Sequence, residues 1–240
     1  MTRLTASTLG RAVHCLHWAK ETTELQPDRP GPRARIGTAV HFATERTLQG
    51  LSALFPDIAK RFELRPAEAR EAEELFWAWD SWWNGPRGPG LRGLWQSEVA
   101  FALPPTGTAI CLPQTKPRDY RGAPDGSIVG TADMIRVVDV VVEVRDIKTG
   151  QTAEEAAFSE QLRFLGAVAA DAYGVPRASI WIDHVTESGV ASSGHTLDAT
   201  EIGHVLEDAR ALLRMIPTSE PVGGEWCRYC PSSHCPERRP

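Results

Sequence analysis

The sequence predicts a mixed α/β fold in which helices pack on a central sheet. Apolar residues in the first third recur at helical spacing, and after the breaker run NGPRGPGLRG the pattern changes to strand-like alternation. One of the later strands leads directly into a long amphipathic helix that is followed by a further strand. A strand, a crossover helix and a second strand form the usual unit of a parallel pair. We therefore expect a mixed sheet with helices on it.

Three helices are predicted before the sheet. They cover residues 5–20, the segment from Gly37 to Gly50, and residues 67–83, and the run QPDRPGPRAR (26–35) is a loop. His41 and Glu45 lie one turn apart on one face of the second helix. The third helix ends in Trp77, Trp79, Trp82 and Trp83. Stacking on nucleic-acid bases is one interpretation of these tryptophans, and packing in the core is the favoured one.

Four strands and two helices follow. Strands are predicted at 97–103, 130–138, 140–148 and 178–186, a long loop at 104–127, and helices at 152–173 and 199–215. The second and third strands are close enough to form a hairpin that turns near Asp139. The third strand is apolar on both faces, which indicates a central position. Asp198 and Glu201 are a plausible capping pair for the last helix.

Composition narrows the classes of partner. The chain has 240 residues, of which 42% are hydrophobic, enough for a sizeable core. It has no apolar run of membrane-spanning length and no recognisable signal peptide, so we expect a cytoplasmic protein without a membrane partner. A net charge of −5 gives no overall attraction to nucleic acid, although a local basic groove or bound metal ions can supply it. The short basic clusters are Arg29/Arg33/Arg35, Arg87/Arg92 and Lys116/Arg118/Arg121, and solvated loop surface is the favoured interpretation of each.

The stretch EVRDIKTG (143–150) carries the strongest chemical signal. Asp146 and Lys148 are two residues apart on a strand, so their side chains face the same side while Ile147 packs behind them and leaves its carbonyl near the strand end. A hairpin turning at Asp139 brings Asp133 close to Asp146. Adjacent carboxylates repel one another unless a cation or proton joins them. The carboxylates of Asp133 and Asp146 together with the Ile147 carbonyl suit Mg²⁺ or Mn²⁺. An ordinary ion pair at a strand end is the alternative.

The order GTAD, R-DIKTG and a helix bearing Gln161 resembles the PD-(D/E)XK nuclease superfamily. The sequence is most similar to the RecB-like branch, which includes AddB-type and CRISPR-adaptation nucleases. In that branch a metal-binding histidine lies in a Gly-x-x-x-His setting, which Gly37-Thr-Ala-Val-His41 matches. The resemblance implies a restriction-endonuclease-like αβββαβ core with a mixed sheet, preceded by N-terminal helices and followed by a cysteine-ligated metal cluster region.

The same resemblance implies roles for individual residues. It implies that Mg²⁺ or Mn²⁺ is bound by His41, Asp133, Asp146 and the carbonyl of Ile147. Lys148 would assist the nucleophile or the developing charge, and Asp133, Asp146 and Lys148 are thus the expected catalytic residues. Gln161, counted with them, matches the first residue of the family's Gln-x-x-x-Tyr motif, whose tyrosine position is Leu165 here. Glu98 and Glu45 are candidates for outer groups around the site.

The C-terminal stretch EWCRYCPSSHCPERRP suggests a soft metal centre, because three closely spaced thiols need a fourth ligand. Iron–sulphur RecB-like nucleases have one N-terminal and three C-terminal cysteines. The resemblance therefore implies a [4Fe–4S] cluster held by Cys15, Cys227, Cys230 and Cys235. Zinc on the same thiols, with His234 replacing one of them, is the alternative. Cys111 fits no ligand pattern and is expected to be a free thiol, with replacement of Cys15 as the lesser interpretation.

These expectations combine into one nuclease domain over residues 1–240, with 37–216 as the core and 1–36 and 217–240 as the cysteine cluster region. The resemblance implies a divalent-metal-dependent deoxyribonuclease, an exonuclease on DNA that is single-stranded or has free ends. It implies work in DNA repair, recombination or CRISPR adaptation, with a helicase or CRISPR-adaptation protein as partner. The alternative is a nucleic-acid-binding or assembly module that keeps the fold and has lost useful catalysis.

Overall fold

The structure is a computed structural model, and it describes residues 4–12, 15–16, 31–86, 88–89, 94–113, 118–149, 155–218, 220–224, 227, 235 and 237. The strands are β1 (Leu4–Thr5), β2 (Gln96–Leu103), β3 (Ile110–Leu112), β4 (Ile128–Val138), β5 (Val141–Lys148), β6 (Arg177–Thr186) and β7 (Gly189–Leu197). The α-helices are α1 (Leu9–Ala12), α2 (Pro32–Leu48), α3 (Phe55–Arg61), α4 (Pro66–Asn84), α5 (Glu155–Tyr173) and α6 (Ala199–Met215). No described helix has the length and hydropathy that a membrane crossing requires.

All seven described strands belong to one mixed sheet. Its order is β3-β2-β4-β5-β6-β7, with β1 paired to β4. The predicted hairpin is confirmed: β4 and β5 are antiparallel, and Val138 pairs with Val141 around a turn at Asp139. β5 then runs parallel to β6, with the crossover helix α5 between them in the chain. The central position predicted for β5 is therefore also confirmed.

The beginning of the chain differs from the prediction. The helix predicted over 5–20 is confirmed only in part among the described residues: Leu4–Thr5 forms β1, parallel to β4, a short 3₁₀ turn follows, and the four-residue helix α1 lies inside the predicted range. Leu4 and Leu9 are buried in the core beneath the sheet, so tertiary pairing overrides the local helical spacing. Helix α2 begins at Pro32 instead of Gly37, since proline is well suited to the first turn.

Three described elements were not predicted: α3, β3 and β7. The edge strand β7 is exposed along most of its length, so it lacks the apolar alternation that reveals a half-buried strand. It is recognised only through its antiparallel pairing with β6. The short strand β3 lies inside the predicted long loop and pairs with β2.

Two large hydrophobic clusters cover the sheet. One joins its central strands to α1, α5 and α6, and the other packs α2, α3 and α4 against the sheet. Trp79 and Trp83 are fully buried in the second cluster, with ring centroids 5.2 Å apart, so packing is confirmed for these two tryptophans. Trp77 is 52% exposed.

An ion pair fixes the start of α2 against α4. Arg35 on α2 donates to Oε1 of Glu68 on α4 at 2.8 Å, and Arg65 donates to the same carboxylate from its side chain and its backbone N–H. The hydrogen bond from Arg35 is the main cause that lowers the pKa of Glu68 to about 2, and the backbone bond from Arg65 adds to it. Helix α2 carries His41, so this anchor helps to set the position of that imidazole.

Two helical glycines give a matched test of this packing. A Cβ on Gly166 of α5 would overlap Cγ2 of Ile180 on β6, whereas a Cβ on the exposed Gly203 of α6 would meet nothing within 4 Å. We expect Gly166→Ala to lower the free energy of unfolding by about 1–3 kcal/mol. Gly203→Ala gains the same helix propensity without the clash and should raise it by roughly 0.5–1 kcal/mol. Urea unfolding followed by circular dichroism measures both, and changes of equal sign would contradict the packing of α5 on β6.

Candidate active site

Regular strand pairing stops at the predicted catalytic residues. The β2–β4 ladder pairs the residues on both sides of Glu98 and Asp133, but these two, which stand opposite one another in register, form no pair. Glu98 has a φ of 53°, in the left-handed region that side chains disfavour. On the other side, the last pair of the β4–β5 ladder is Met134 with Arg145, and Asp133 and Asp146 at the next position of the same register form no pair. At Asp133, β4 thus loses regular pairing with both neighbours: for one position on the β2 side, and for the rest of the strand on the β5 side.

The side chain of Asp133 takes the place of the missing backbone pairing. Its Oδ2 accepts a hydrogen bond from the backbone N–H of Ile147 at 2.8 Å. The same oxygen lies 3.4 Å from Nδ1 of His41. The His41 side chain is 24% exposed and that of Asp133 10%, so a ligand can reach this pair.

Gly37 allows helix α2 to come close to the end of β5. A Cβ at this position would lie 3.1 Å from Oγ1 of Thr149, which is tighter than ordinary van der Waals contact. His41 follows one turn later on the same face of the helix and reaches Asp133. The glycine of the Gly-x-x-x-His pattern therefore has a steric reason to be small.

Asp146 and Lys148 form an ion pair in which Nζ lies 2.5 Å from Oδ2. Apart from this contact, that buried oxygen has no hydrogen-bond partner among the described residues. Ile147, between them, is 1% exposed and packs in the core, as predicted. A role for its carbonyl in metal binding stays a prediction. The ion pair is real, but the adjacent Asp133 distinguishes it from an isolated pair at a strand end.

Glu98 is closer to the site than the sequence indicates. One ligand atom from each of His41, Glu98 and Asp133 lies within 4.8 Å of the other two. In the described part of the chain, no other group of three His, Cys, Asp or Glu residues is this close together. We expected Glu98 to be an outer group. Spacing along the chain cannot reveal its position, because that position depends on the long-range pairing of β2 with β4.

The site concentrates negative charge. Burial raises the pKa of Glu98 to about 7, and the Asp133 carboxylate contributes to the rise. Burial, followed by repulsion from Asp133, raises the pKa of Asp146 to about 6. Burial also acts to raise the pKa of Asp133, but His41, Lys148 and the Ile147 N–H lower it by more. Burial acts to lower the pKa of His41, yet Asp133 and Asp146 raise it above its ordinary value.

This donor set fits a hard divalent cation. Carboxylates and an imidazole are ligands for Mg²⁺ and Mn²⁺, and a cation would relieve the repulsion between Glu98, Asp133 and Asp146. It would also lower the raised pKa values of Glu98 and Asp146, because it stabilises the charged form of each carboxyl. The site therefore has ligands of the right chemistry and an electrostatic need for a positive ion.

Three further residues named in the sequence analysis are Gln161, Leu165 and Glu45. Gln161 lies half-buried on α5, and its catalytic role stays a prediction. Leu165, at the tyrosine position of the family motif, is fully buried, and a Cβ on Gly130 would come within 2.8 Å of it. Leu165 therefore serves the core. Glu45, a candidate for orienting His41, accepts a hydrogen bond from Gln49 at 3.0 Å.

The predicted cysteine cluster falls partly outside the described residues. Cys15 and Cys227 are buried and Cys235 is half-buried, while Cys230 and His234 lie outside the described ranges. The sulphur of Cys227 accepts a hydrogen bond from the backbone N–H of Gly224 at 3.3 Å. Cys111 is exposed and forms no disulfide with another described cysteine, and its state as a free thiol stays a prediction. A shared metal centre for the other cysteines stays a prediction.

Comparisons with known proteins give two similar solved structures and one matching family model. The chain resembles a solved structure from Eubacterium rectale that is provisionally named an exonuclease, with a TM-score of 0.51 and 10% identity over 98% of this chain and 90% of that one. A second solved structure, SSO0001, has a TM-score of 0.38 and 15% identity over 93% of this chain and 94% of its own. No curated protein matches. The family model of the PD-(D/E)XK nuclease superfamily matches residues 3–236, and the chain belongs to this superfamily.

Proposed function

We propose that this protein is a divalent-metal-dependent deoxyribonuclease that hydrolyses phosphodiester bonds. The observation that carries the proposal is the convergence of His41, Glu98 and Asp133 within 4.8 Å, beside the Asp146–Lys148 ion pair. Carboxylates that converge on one point, with an ammonium at its edge, suit metal-assisted phosphodiester hydrolysis. Membership of the nuclease superfamily supports the same reaction.

In this proposal His41, Glu98, Asp133 and Asp146 hold Mg²⁺ or Mn²⁺. When bound, the ion would act as a Lewis acid towards the phosphate and help to generate the attacking nucleophile. The hydrogen bond from the Ile147 N–H keeps one carboxylate oxygen of Asp133 fixed in direction. Such support of ligand orientation commonly decides how well a metal site works.

Lys148 has a separate task. Its ammonium lies 2.5 Å from Oδ2 of Asp146 and its side chain is 21% exposed, so a bound substrate could reach it. There it would orient the attacking water and stabilise the negative charge that develops on the phosphorane oxygens. Asp146 would thus position both the ion and the lysine.

We further propose exonuclease action on single-stranded or free DNA ends, in DNA repair, recombination or CRISPR adaptation. Two things support this: the provisional exonuclease name of the Eubacterium rectale protein and the RecB-like motif order GTAD, DIKTG and Gln161. A helicase or a CRISPR-adaptation protein is the corresponding partner.

Removal of one carboxylate tests the catalytic site. We expect Asp146→Asn to lower cleavage of end-labelled single-stranded DNA in Mn²⁺ by roughly 100-fold or more, because it removes a metal ligand and the partner of Lys148. The matched control is Asp139→Asn at the exposed hairpin turn, where φ is 53° and asparagine is well tolerated. It should cleave like the wild type.

Equal cleavage by Asp146→Asn and wild type would exclude this site as the catalytic one. Salt-dependent DNA binding by the wild type, without turnover in Mg²⁺ or Mn²⁺, would favour the alternative of a binding or assembly module. Comparison of blocked and free 5′ and 3′ ends in the same assay separates exonuclease from endonuclease action.

A metal titration tests Glu98 as a ligand. Glu98→Gln keeps the shape of the side chain but removes its charge, so half-maximal activity should require about 10–100-fold more Mn²⁺. The matched control is Glu63→Gln, because Glu63 is exposed and has a similar φ of 51°. An unchanged Mn²⁺ requirement in Glu98→Gln would place this carboxylate outside the metal site.

We also propose that Cys15, Cys227, Cys230 and Cys235 hold a [4Fe–4S] cluster, with zinc as the alternative. The burial of Cys15 and Cys227 supports a role inside the protein and not at its surface. Such a centre would tie the two ends of the chain together and stabilise the fold.

Anaerobic purification with iron, sulphide and zinc analysis tests this cluster. We expect four irons per chain by the stated cluster type and a brown protein, and loss of both in Cys230→Ser. Cys111→Ser replaces an exposed thiol and should keep the metal content. A colourless protein with one zinc would replace the cluster assignment and leave the nuclease proposal intact.

A further inference from the structure

A structured loop forms a wall on the side of the site away from helix α2. We call residues 118–126 the loop wall. Its residues Tyr120 and Ala123 pack with Leu112 and the small residues of β2 in a hydrophobic cluster that is separate from the one beneath α2. Along β4, Asp133 lies between Met134 of the helical cluster and Val129 of the loop cluster. The candidate site therefore lies between α2 and the loop wall.

Tyr120 fixes this wall beside the site. Its hydroxyl lies 2.9 Å from Oγ1 of Thr131 on β4. Thr131 is two residues before Asp133 and pairs with Ala100, which is two residues after Glu98. The contact therefore holds the loop wall on β4 two residues from Asp133, which stands opposite Glu98.

Arg118 is the residue of the loop wall whose positive charge acts on the Glu98 carboxylate. It lowers the pKa of Glu98 and of Tyr120, although burial raises both pKa values overall. Its side chain is exposed, and no ion pair joins it to any residue in the described ranges. Arg121, three positions later, instead donates to the buried Asp119 at 2.6 Å. Arg121 therefore stabilises the loop itself, whereas Arg118 remains exposed at the cleft.

The backbone also favours a role for Arg118. Its φ of 57° is in the left-handed region, as is that of Glu98 across the site. A side chain in this region costs about 1 kcal/mol or more, and such strain persists where the surrounding structure enforces it. The conformation indicates that the surrounding structure fixes the backbone of Arg118. A guanidinium on a fixed backbone can make directed hydrogen bonds to an anion.

A substrate phosphate needs such a cation here. The chain has a net charge of −5, and the three carboxylates at the site have only His41, Lys148 and Arg118 as positive neighbours acting on them in the described part of the chain. A bound divalent ion would neutralise the carboxylates but would leave the phosphates on either side of the reacting one without a partner. An arginine at the cleft wall can bind one of these with two parallel hydrogen bonds.

We propose that Arg118 binds a backbone phosphate of the nucleic-acid strand next to the phosphate that is cleaved, and that Tyr120 positions the wall for this contact. The inference rests on the proposed function, because it takes the nucleic-acid strand as the substrate. It assigns part of strand binding to a loop that was first interpreted as solvated surface.

Binding measurements on the full chain test this contact. Fluorescence anisotropy with a labelled single-stranded oligonucleotide in Ca²⁺ gives Kd as a function of salt for the wild type, Arg118→Gln, Arg118→Lys and Arg214→Gln. We expect Arg118→Gln to raise Kd about 10-fold or more. The slope of log Kd against log salt should fall by about 0.7, which corresponds to one lost phosphate contact on a single strand.

Arg118→Lys should recover the salt slope, because an ammonium also neutralises a phosphate, and recover only part of the affinity. Arg214→Gln removes an exposed charge on α6, which packs in the other hydrophobic cluster, and is the matched control; it should leave the slope unchanged. Wild-type affinity and slope in Arg118→Gln, an equal loss in both glutamine variants, or a wild type that binds no oligonucleotide would each overturn the inference.

Cleavage assays separate this inference from the proposed function. A wild type that cuts DNA while Arg118→Gln binds normally would exclude Arg118 and keep the nuclease. A wild type that binds with an Arg118-dependent salt slope but never cuts would keep the phosphate contact and exclude catalysis.

Discussion

The site depends on the position of Asp133, where β4 loses regular backbone pairing with both of its neighbours. Backbone groups that leave a sheet must find other partners, because an unpaired buried N–H costs about 1–3 kcal/mol. Here the carboxylate of Asp133 accepts the N–H of Ile147 at 2.8 Å and so closes the gap. The same break lets Glu98 and Asp133 face one another without pairing. One hydrogen bond therefore both stabilises an irregular sheet and orients a candidate metal ligand.

The surrounding fold brings charge of both signs to this break. Helix α2 is anchored to α4 through Arg35 and Glu68, and Gly37 lets it approach β5 closely enough for His41 to meet Asp133. β5 supplies Asp146 with its ion-paired Lys148. Buried carboxylates at this distance raise one another's pKa, so the arrangement is stable at neutral pH only when protons or a cation compensate. A site of this type therefore needs a bound cation before a negatively charged substrate can approach it.

Net charge is a poor guide to the partners of such a protein. At −5 the chain as a whole repels nucleic acid, yet long-range repulsion is screened within about 10 Å at ordinary salt. Local groups then decide binding. A divalent ion on the carboxylates, Lys148 at their edge and Arg118 on the opposite wall would together turn an acidic cleft into one that accepts a phosphodiester strand.

The sequence by itself determined the elements whose signal is local. The alternation of β4 and β5, the turn at Asp139 and the amphipathic crossover helix predict the hairpin and the parallel pair correctly. The spacing of Asp146 and Lys148 predicts their shared face. The site residues on these elements could be identified because a strand places every second side chain on one side.

Only the tertiary structure decided the features that depend on long-range pairing. Leu4–Thr5 becomes a strand because β4 offers it a partner, and the polar strand β7 exists because β6 does. Glu98 joins the site through the register of β2 on β4, and Arg118 comes near it through the contact between Tyr120 and Thr131. Register and loop packing join residues far apart in the chain, and such contacts leave no periodic trace in the sequence.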